Sequence, residues 1–175
     1  ALGLDHAARA SVRDLVHIRR ALVDGQVGRA AIRRPEPEEL KAYATMLQEE
    51  LDAFLGEDIP ARHKLTIIYD TSSAMAEVEL IRNTVKPQRV LVEAANSAVG
   101  VEFQSIRTRL REKRSQWVYF ERNLRIYEES RTYLFKPMQR VQWTESQALA
   151  DAAGIIADTL QPISTEEVGA ETDAW

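Results

Sequence analysis

The chain contains no cysteine among its 175 residues. This absence excludes disulfide bonds, thiolate metal ligands and cysteine nucleophiles. Small secreted domains commonly depend on disulfides, so we expect a cytoplasmic location. The chain also lacks an apolar run of the roughly 18–20 residues that a membrane-spanning helix needs, and we expect no membrane partner. Charged residues such as Asp5 and Arg9 interrupt the first segment, which argues against a signal peptide there.

Glycine and histidine are both scarce, with seven glycines and three histidines. The glycines are scattered, and no phosphate-binding run of the Walker or dinucleotide type occurs. The histidines, His6, His17 and His63, lie far apart, and none belongs to a zinc motif. No G-x-S-x-G nucleophile elbow occurs either. We therefore expect no cofactor and no nucleotide hydrolysis of the P-loop kind.

What the sequence does contain is a balance typical of a globular domain, with 45% hydrophobic and 29% charged residues. Apolar residues at helical spacing, such as Val12, Leu15 and Val16, predict amphipathic helices, and alternating apolar residues predict strands. The predicted helices cover residues 4–23, 38–55, 101–114 and 145–160. The predicted strands cover residues 65–70, 74–81, 89–93, 116–120, 124–127 and 131–135.

Helices and strands follow one another in blocks, which favours an α+β fold. We expect a two-layer sandwich with a mainly antiparallel sheet of about six strands, an N-terminal helical pair and two further covering helices. This single domain is predicted to span residues 1–160, with residues 1–34 forming a semi-independent helix and connector. Residues 161–175 are predicted to be an acidic, flexible tail.

A basic block is the strongest anomaly in the charge pattern. The net charge is −4, yet residues 107–140 contain ten basic and four acidic side chains. Arginine binds phosphate through two parallel hydrogen bonds, and neighbouring aromatic rings can stack on unpaired bases. We therefore predict a binding surface on the basic helix and the loop that follows the last strand. Its residues are Arg107, Arg111, Arg114, Lys136 and Arg140, with Trp143 as an apolar anchor.

A second interpretation of the same residues stays open. Aromatic residues that alternate along strands usually fill the core. In that case Met138 and Trp143 close the bottom of the core, and the basic helix is a solvated face or docks the acidic tail. The binding surface requires that cations distant in sequence converge on one exposed patch.

Three carboxylates on the predicted hairpin, Asp70, Glu77 and Glu79, suggest an enzyme as the alternative. Residues i and i+2 of a strand share a face, and such a trio can hold a divalent cation for phosphodiester hydrolysis. No lysine follows at the position that a nuclease of this kind uses. The other interpretation is a charged strand edge that discourages aggregation.

The sequence thus favours a non-catalytic binding or accessory module that contacts nucleic acid, a nucleic-acid-processing machine or another protein partner. The alternatives are a metal-dependent phosphodiesterase or nuclease, and a structural subunit that forms a homo-oligomer through its first helix.

Overall fold

The computed structural model describes residues 5–19, 29–95, 124–128 and 130–160, together with Gly3, Ser105 and Thr108. The helices described are α1 (His6–Asp14), continued by a π-helical turn (Leu15–Arg19), α2 (Arg29–Ile32), α3 (Pro37–Leu55) and α4 (Glu145–Leu160). The strands described are β1 (Ala61–Tyr69), β2 (Ser73–Arg82), β3 (Leu91–Ala94), β4 (Leu124–Glu128) and β5 (Arg131–Pro137). A 3-10 turn (Arg140–Gln142) precedes α4.

The five strands of the described chain form one sheet in the order β3-β1-β2-β5-β4. The pairs β1–β2, β2–β5 and β4–β5 are antiparallel, whereas β3 runs parallel to β1. The α+β class is confirmed, and the sheet is mixed. The predicted strand over residues 116–120 and the tail over 161–175 lie outside the described residues, as does the helix over 101–114 apart from Ser105 and Thr108.

The parallel direction of β3 follows from where β2 ends. Arg82, the last residue of β2, lies opposite Ala61, the first residue of β1. The chain then passes the start of β1, where the amide of Thr84 donates to the carbonyl of Pro60 over 3.1 Å. A strand that enters on the far side of β1 at its start must run in the direction of β1. The hairpin β1–β2 itself is as predicted.

Helix α3 confirms the predicted helix over 38–55. Pro37 occupies its first turn, and the carboxylate of Glu39 accepts the amide of Glu36 over 2.9 Å. Its buried stripe packs on the sheet, while Phe54 at the end is 49% exposed. This stripe consists of Leu40, Tyr43, Ala44, Leu47 and Leu51.

Helix α4 has the predicted bounds but a different cap. The hydroxyl of Thr144 accepts the amide of Gln147 over 3.1 Å, as expected of a capping box. The Gln147 side chain, however, donates to Asp151 over 3.4 Å, and the carboxylate of Asp14 accepts the amide of Ser146 over 2.9 Å. The last helix is therefore capped from α1, which fastens α1 to the domain.

The buried face of α1 differs from the prediction. Val12, Leu15 and Val16 are 49–55% exposed. The residues turned inward are Ala10 and Asp14, followed by Ile18 in the π-helical turn. The small side chain of Ala10 lets α1 lie close to α4. Asp14 faces inward because its carboxylate caps the start of α4.

The sheet buries apolar residues on both faces. Helices α3 and α4 cover one face, where Leu65, Ile67 and Leu134 join the main core. On the other face Met75 and Phe135 belong to a second buried cluster. The predicted two-layer sandwich is therefore matched in part. Among the described helices, none combines the length and the apolar character required to cross a bilayer.

Gly154 in α4 makes room for Arg125 of β4. A Cβ atom at Gly154 would collide with the Arg125 guanidinium, which pairs with Asp158 over 2.9 Å. Alanine is favoured over glycine in a helix interior by about 1 kcal/mol. We predict that Gly154→Ala stabilises the protein by less than this amount, because Arg125 must give way, and that an Arg125→Ala background restores the full gain. Urea denaturation of the wild type, the two single variants and the double variant measures the gain from Gly154→Ala in each background. Equal gains in the two backgrounds would contradict the steric conflict.

Candidate functional site

The predicted binding loop closes a buried polar cluster. The Nζ of Lys136 forms an ion pair with Asp151 and donates to the hydroxyl of Tyr43 over 3.1 Å and the carbonyl of Gln142 over 3.2 Å. Tyr43 in turn donates to Asp151 over 2.7 Å. The side chains of Lys136 and Asp151 are 0% and 1% exposed. Each polar group in this cluster therefore has a hydrogen-bond or ion-pair partner. Burial of a charge is tolerated under this condition.

Trp143 completes the cluster from the loop side. It is 1% exposed, its ring meets the ring of Tyr43 edge to face at 5.0 Å, and its Nε1 donates to the carbonyl of Pro137 over 2.9 Å. The Nζ of Lys136 lies 4.6 Å from the ring centre of Tyr43 and 5.4 Å from that of Trp143. This corrects the prediction that Lys136 and Trp143 belong to an exposed patch, because both are enclosed by α3, α4 and the loop.

Burial changes the proton affinity of the cluster. It lowers the pKa of Lys136 to about 8, although the charge and hydrogen bond of Asp151 act in the opposite direction. Burial also raises the pKa of Tyr43, and the charge of Asp151 raises it further. A lysine in this state resembles a catalytic base electronically, but it has no solvent-exposed surface through which a substrate could reach it.

Arg140 is the one loop residue of the predicted site that reaches the surface within the described chain. Its Nε pairs with Glu39 over 2.8 Å, and Arg33 pairs with the same carboxylate over 2.6 Å. Burial alone would raise the pKa of Glu39, but the hydrogen bonds from Arg33 and the Glu36 backbone, with the charge of Arg140, lower it. The other predicted cations, Arg107, Arg111 and Arg114, lie outside the described residues.

A cavity of about 170 Å³ lies between α1, α3 and the loop. Arg13 on its wall pairs with Glu145 over 2.8 Å, and Arg140 pairs with Glu39. Asp14, which also lines it, caps α4. The charged side chains of this cavity are thus committed to each other and to the backbone.

The three carboxylates of the enzyme alternative do not form a metal site. Asp70 caps the β1–β2 turn, where its Oδ1 accepts the amides of Ser72 and Ser73 over 2.7 and 2.8 Å. Glu77 lies opposite Thr66, four residues before Asp70, which separates them by about 13 Å along the strand. No group of three possible ligands that could hold a metal occurs in the described ranges.

Glu77 and Glu79 instead form ion pairs across the sheet. Arg131 of β5 lies 3.2 Å from Glu77 and 3.1 Å from Glu79, and Lys64 of β1 lies 3.6 Å from Glu79. The hydrogen bond with Tyr133 raises the pKa of Arg131, and the charges of Glu77 and Glu79 raise it further. The pairs join three neighbouring strands.

An open groove of about 660 Å³ runs between α3 and β3. One wall is the face of α3 from Pro37 to Gln48, and the other is the chain from Gln88 to Glu93. Gln48 ties the two walls together by donating to the carbonyls of His63 and Gln88 over 2.5 and 3.0 Å. The contact between Gln48 and Gln88 therefore fixes the distance between the two walls at that point.

The outer edge of β3 adjoins this groove. Among the described strands β3 is outermost on its side of the sheet. Ala95 donates its amide to the carbonyl of Tyr69 over 2.9 Å, so residues 91, 93 and 95 direct their backbone groups toward β1. By alternation, Val92 and Ala94 direct theirs outward. The side chains of Val90 and Val92 pack on the helix-side core.

Four charged residues line the groove: Glu38, Lys41, Arg89 and Glu93. None of them forms an ion pair with another residue of the described chain. This sets the groove apart from the cavity under α1 and from the carboxylates of β2.

Sequence reasoning missed Tyr43 and Asp151 in the cluster and the open edge of β3. A signal for Asp151 was present, because it stands within the apolar stripe of Ala148, Ala152 and Ile155. The edge had no signal, because sequence does not show which strand is outermost.

We predict strong coupling between Lys136 and Asp151. Lys136→Met leaves a buried carboxylate unpaired and should cost about 3–5 kcal/mol of unfolding free energy. Lys136→Met combined with Asp151→Leu removes both charges and should cost well below the sum of the single changes. A double-mutant cycle by urea denaturation measures the coupling, and additive costs would show that the pair does not act as a unit.

The lowered pKa of Lys136 predicts that its contribution to stability increases from about pH 8 to about pH 10.4. In that window the folded chain has lost the Lys136 proton while the unfolded chain still holds it, so the unfolded state binds more protons and stability rises with pH. The unfolding free energy of wild type minus that of Lys136→Met, measured at pH 7, 8.5 and 10, should rise. A flat or falling difference would contradict the prediction.

Comparison with known proteins found no match: no protein-family model fits the chain, and neither the curated proteins nor the solved structures include a similar one.

Proposed function

We propose that this chain is a non-catalytic interaction module, an accessory or structural subunit, that binds a protein partner by strand addition at the outer edge of β3. The observation that carries the proposal is the outer edge of β3, where Val92 and Ala94 direct their backbone groups away from β1, beside an open groove of about 660 Å³. Peptide N–H and C=O groups need hydrogen-bond partners, and a strand laid along an edge supplies them in register.

The chemistry-bearing side chains of the described chain support binding over catalysis. Lys136 and Asp151 are buried in the core, and Arg131 forms ion pairs with Glu77 and Glu79. An active site needs a titratable group that reaches a substrate-sized space. The groove offers such a space, but its walls present backbone, valine side chains and isolated charges.

A protein partner fits these observations better than nucleic acid. Nucleic-acid binding through Arg107, Arg111 and Arg114 stays a prediction, because those residues are not described. Of the other three residues of the predicted surface, Lys136 and Trp143 are buried and Arg140 pairs with Glu39. A cytoplasmic location remains part of the proposal and is supported by the cysteine-free sequence.

Site-specific photo-crosslinking in the source organism tests the proposal. A photoreactive residue at Arg89, beside the groove, should give a crosslinked protein product. The same residue at Ala150, exposed on α4, should not give that product. Val92→Pro removes one outward N–H while leaving the β1 ladder intact, and should abolish the product.

Val92→Ala is the matched control, because it removes the same side-chain packing but keeps the N–H group. We expect it to retain the product. A product that survives Val92→Pro, or that forms equally from Ala150, would show that the β3 edge is not the docking surface.

A further inference from the structure

The outer edge of β3 is complementary to itself. Building on the docking surface proposed above, we propose that the strand it receives is β3 of a second copy of this chain, antiparallel and related by a two-fold axis through Leu91. This commits the groove to one occupant. The backbone, the helix-side valines and the exposed charges of β3 each match those of a second copy.

The backbone satisfies the hydrogen-bond pattern of an antiparallel pair. A two-fold axis through Leu91 places Val90 opposite Val92 of the second copy, and Val92 opposite its Val90. Within β3, the pairing with β1 and the bond from Ala95 to Tyr69 leave the N–H and C=O groups of Val92 and Ala94 directed outward. The pairing proposed here continues this alternation one residue before β3, to Val90. Val90 and Val92 therefore form hydrogen-bonded pairs, while Leu91 meets its own copy at a position without hydrogen bonds.

The side chains on the helix side match the groove. Val92 lies beside Ile67 of β1, and Val90 and Val92 both pack on the core under α3. An incoming strand must present apolar side chains at the same level to continue this face. The second copy presents Val92 and Val90 there, and β-branched residues in opposed positions stabilise neighbouring strands.

Opposite charges face each other in this register. No other symmetric register that pairs the same backbone groups around Leu91 brings these charges together. Arg89 comes opposite Glu93 of the second copy, and Glu93 comes opposite its Arg89. Both positions fall between hydrogen-bonded pairs, where opposed side chains approach most closely. Neither residue has an ion-pair partner in the described part of its own chain. The dimer therefore gains two ion pairs by symmetry.

Charge reversal tests the register in solution. Sedimentation velocity of the full chain over a concentration series should show a monomer–dimer equilibrium. Arg89→Glu and Glu93→Arg should each weaken the dimer about tenfold, because each change replaces two attractive contacts with two repulsive ones. The double variant Arg89→Glu/Glu93→Arg restores opposite charges and should recover the wild-type dissociation constant. Mixing the two single variants should give a heterodimer tighter than either homodimer.

Other outcomes place the contact elsewhere. A dimer that Arg89→Glu leaves intact and Leu15→Glu breaks would put the interface on the exposed apolar side of α1 and overturn the inference. A monomer at all concentrations would also overturn it. If the monomeric chain still gives the Val92-dependent crosslink to a different protein, the proposed docking surface survives and only the second copy fails. If that crosslink is absent as well, both proposals fail.

Discussion

The buried ion pair between Lys136 and Asp151 is the contact on which the arrangement of the other elements depends. Lys136 comes from the sheet and Asp151 from α4, and Tyr43 of α3 bonds to both. A charge removed from water is tolerated only when its hydrogen bonds are complete, so a small displacement of any of these elements leaves a buried group unpaired. The loop after β5 obeys the same requirement, because it must bring the carbonyl of Gln142 to the ammonium group and the ring of Trp143 over it.

The same constraint explains why the chain shows little accessible chemistry in its described part. A lysine whose pKa is lowered to about 8 is a common catalytic group, but here the aromatic rings and helices that lower the pKa also seal the site. The ionic contacts around α1 and across β2 are used in the same way, to join elements. Within the described residues, β3 has a neighbouring strand on one side only, so its outer backbone groups have no strand partner there.

Local patterns predicted the local elements well, and three-dimensional context decided the rest. The helices over 37–55 and 145–160 and the hairpin of β1 and β2 follow from apolar spacing, caps and turn residues. The prediction of an exposed patch around Lys136 and Trp143 was wrong. Lysine is seldom buried, and its burial here is tolerated because it pairs with Asp151. The sequence pattern shows Asp151 only as a member of its own helix and does not show that it meets Lys136. The parallel direction of β3 was missed because it depends on which side of β1 the chain enters. The stripe on α1 was wrong because Asp14 is needed to cap α4, which turns Val12 and Leu15 outward.

The shortness of β3 bears on what kind of interaction its edge can support. A strand of four residues offers few hydrogen bonds, and Pro87 and Lys86 just before it are residues that discourage promiscuous strand pairing. Such an edge resists aggregation, and backbone bonds alone give it neither high affinity nor a preferred register. Selectivity must then come from side chains that flank the strand. Arg89 and Glu93 are opposite in charge and lie two residues to either side of Leu91. The β3 strand of a second copy meets them with opposite charges, whereas a strand with like charges at those positions is repelled.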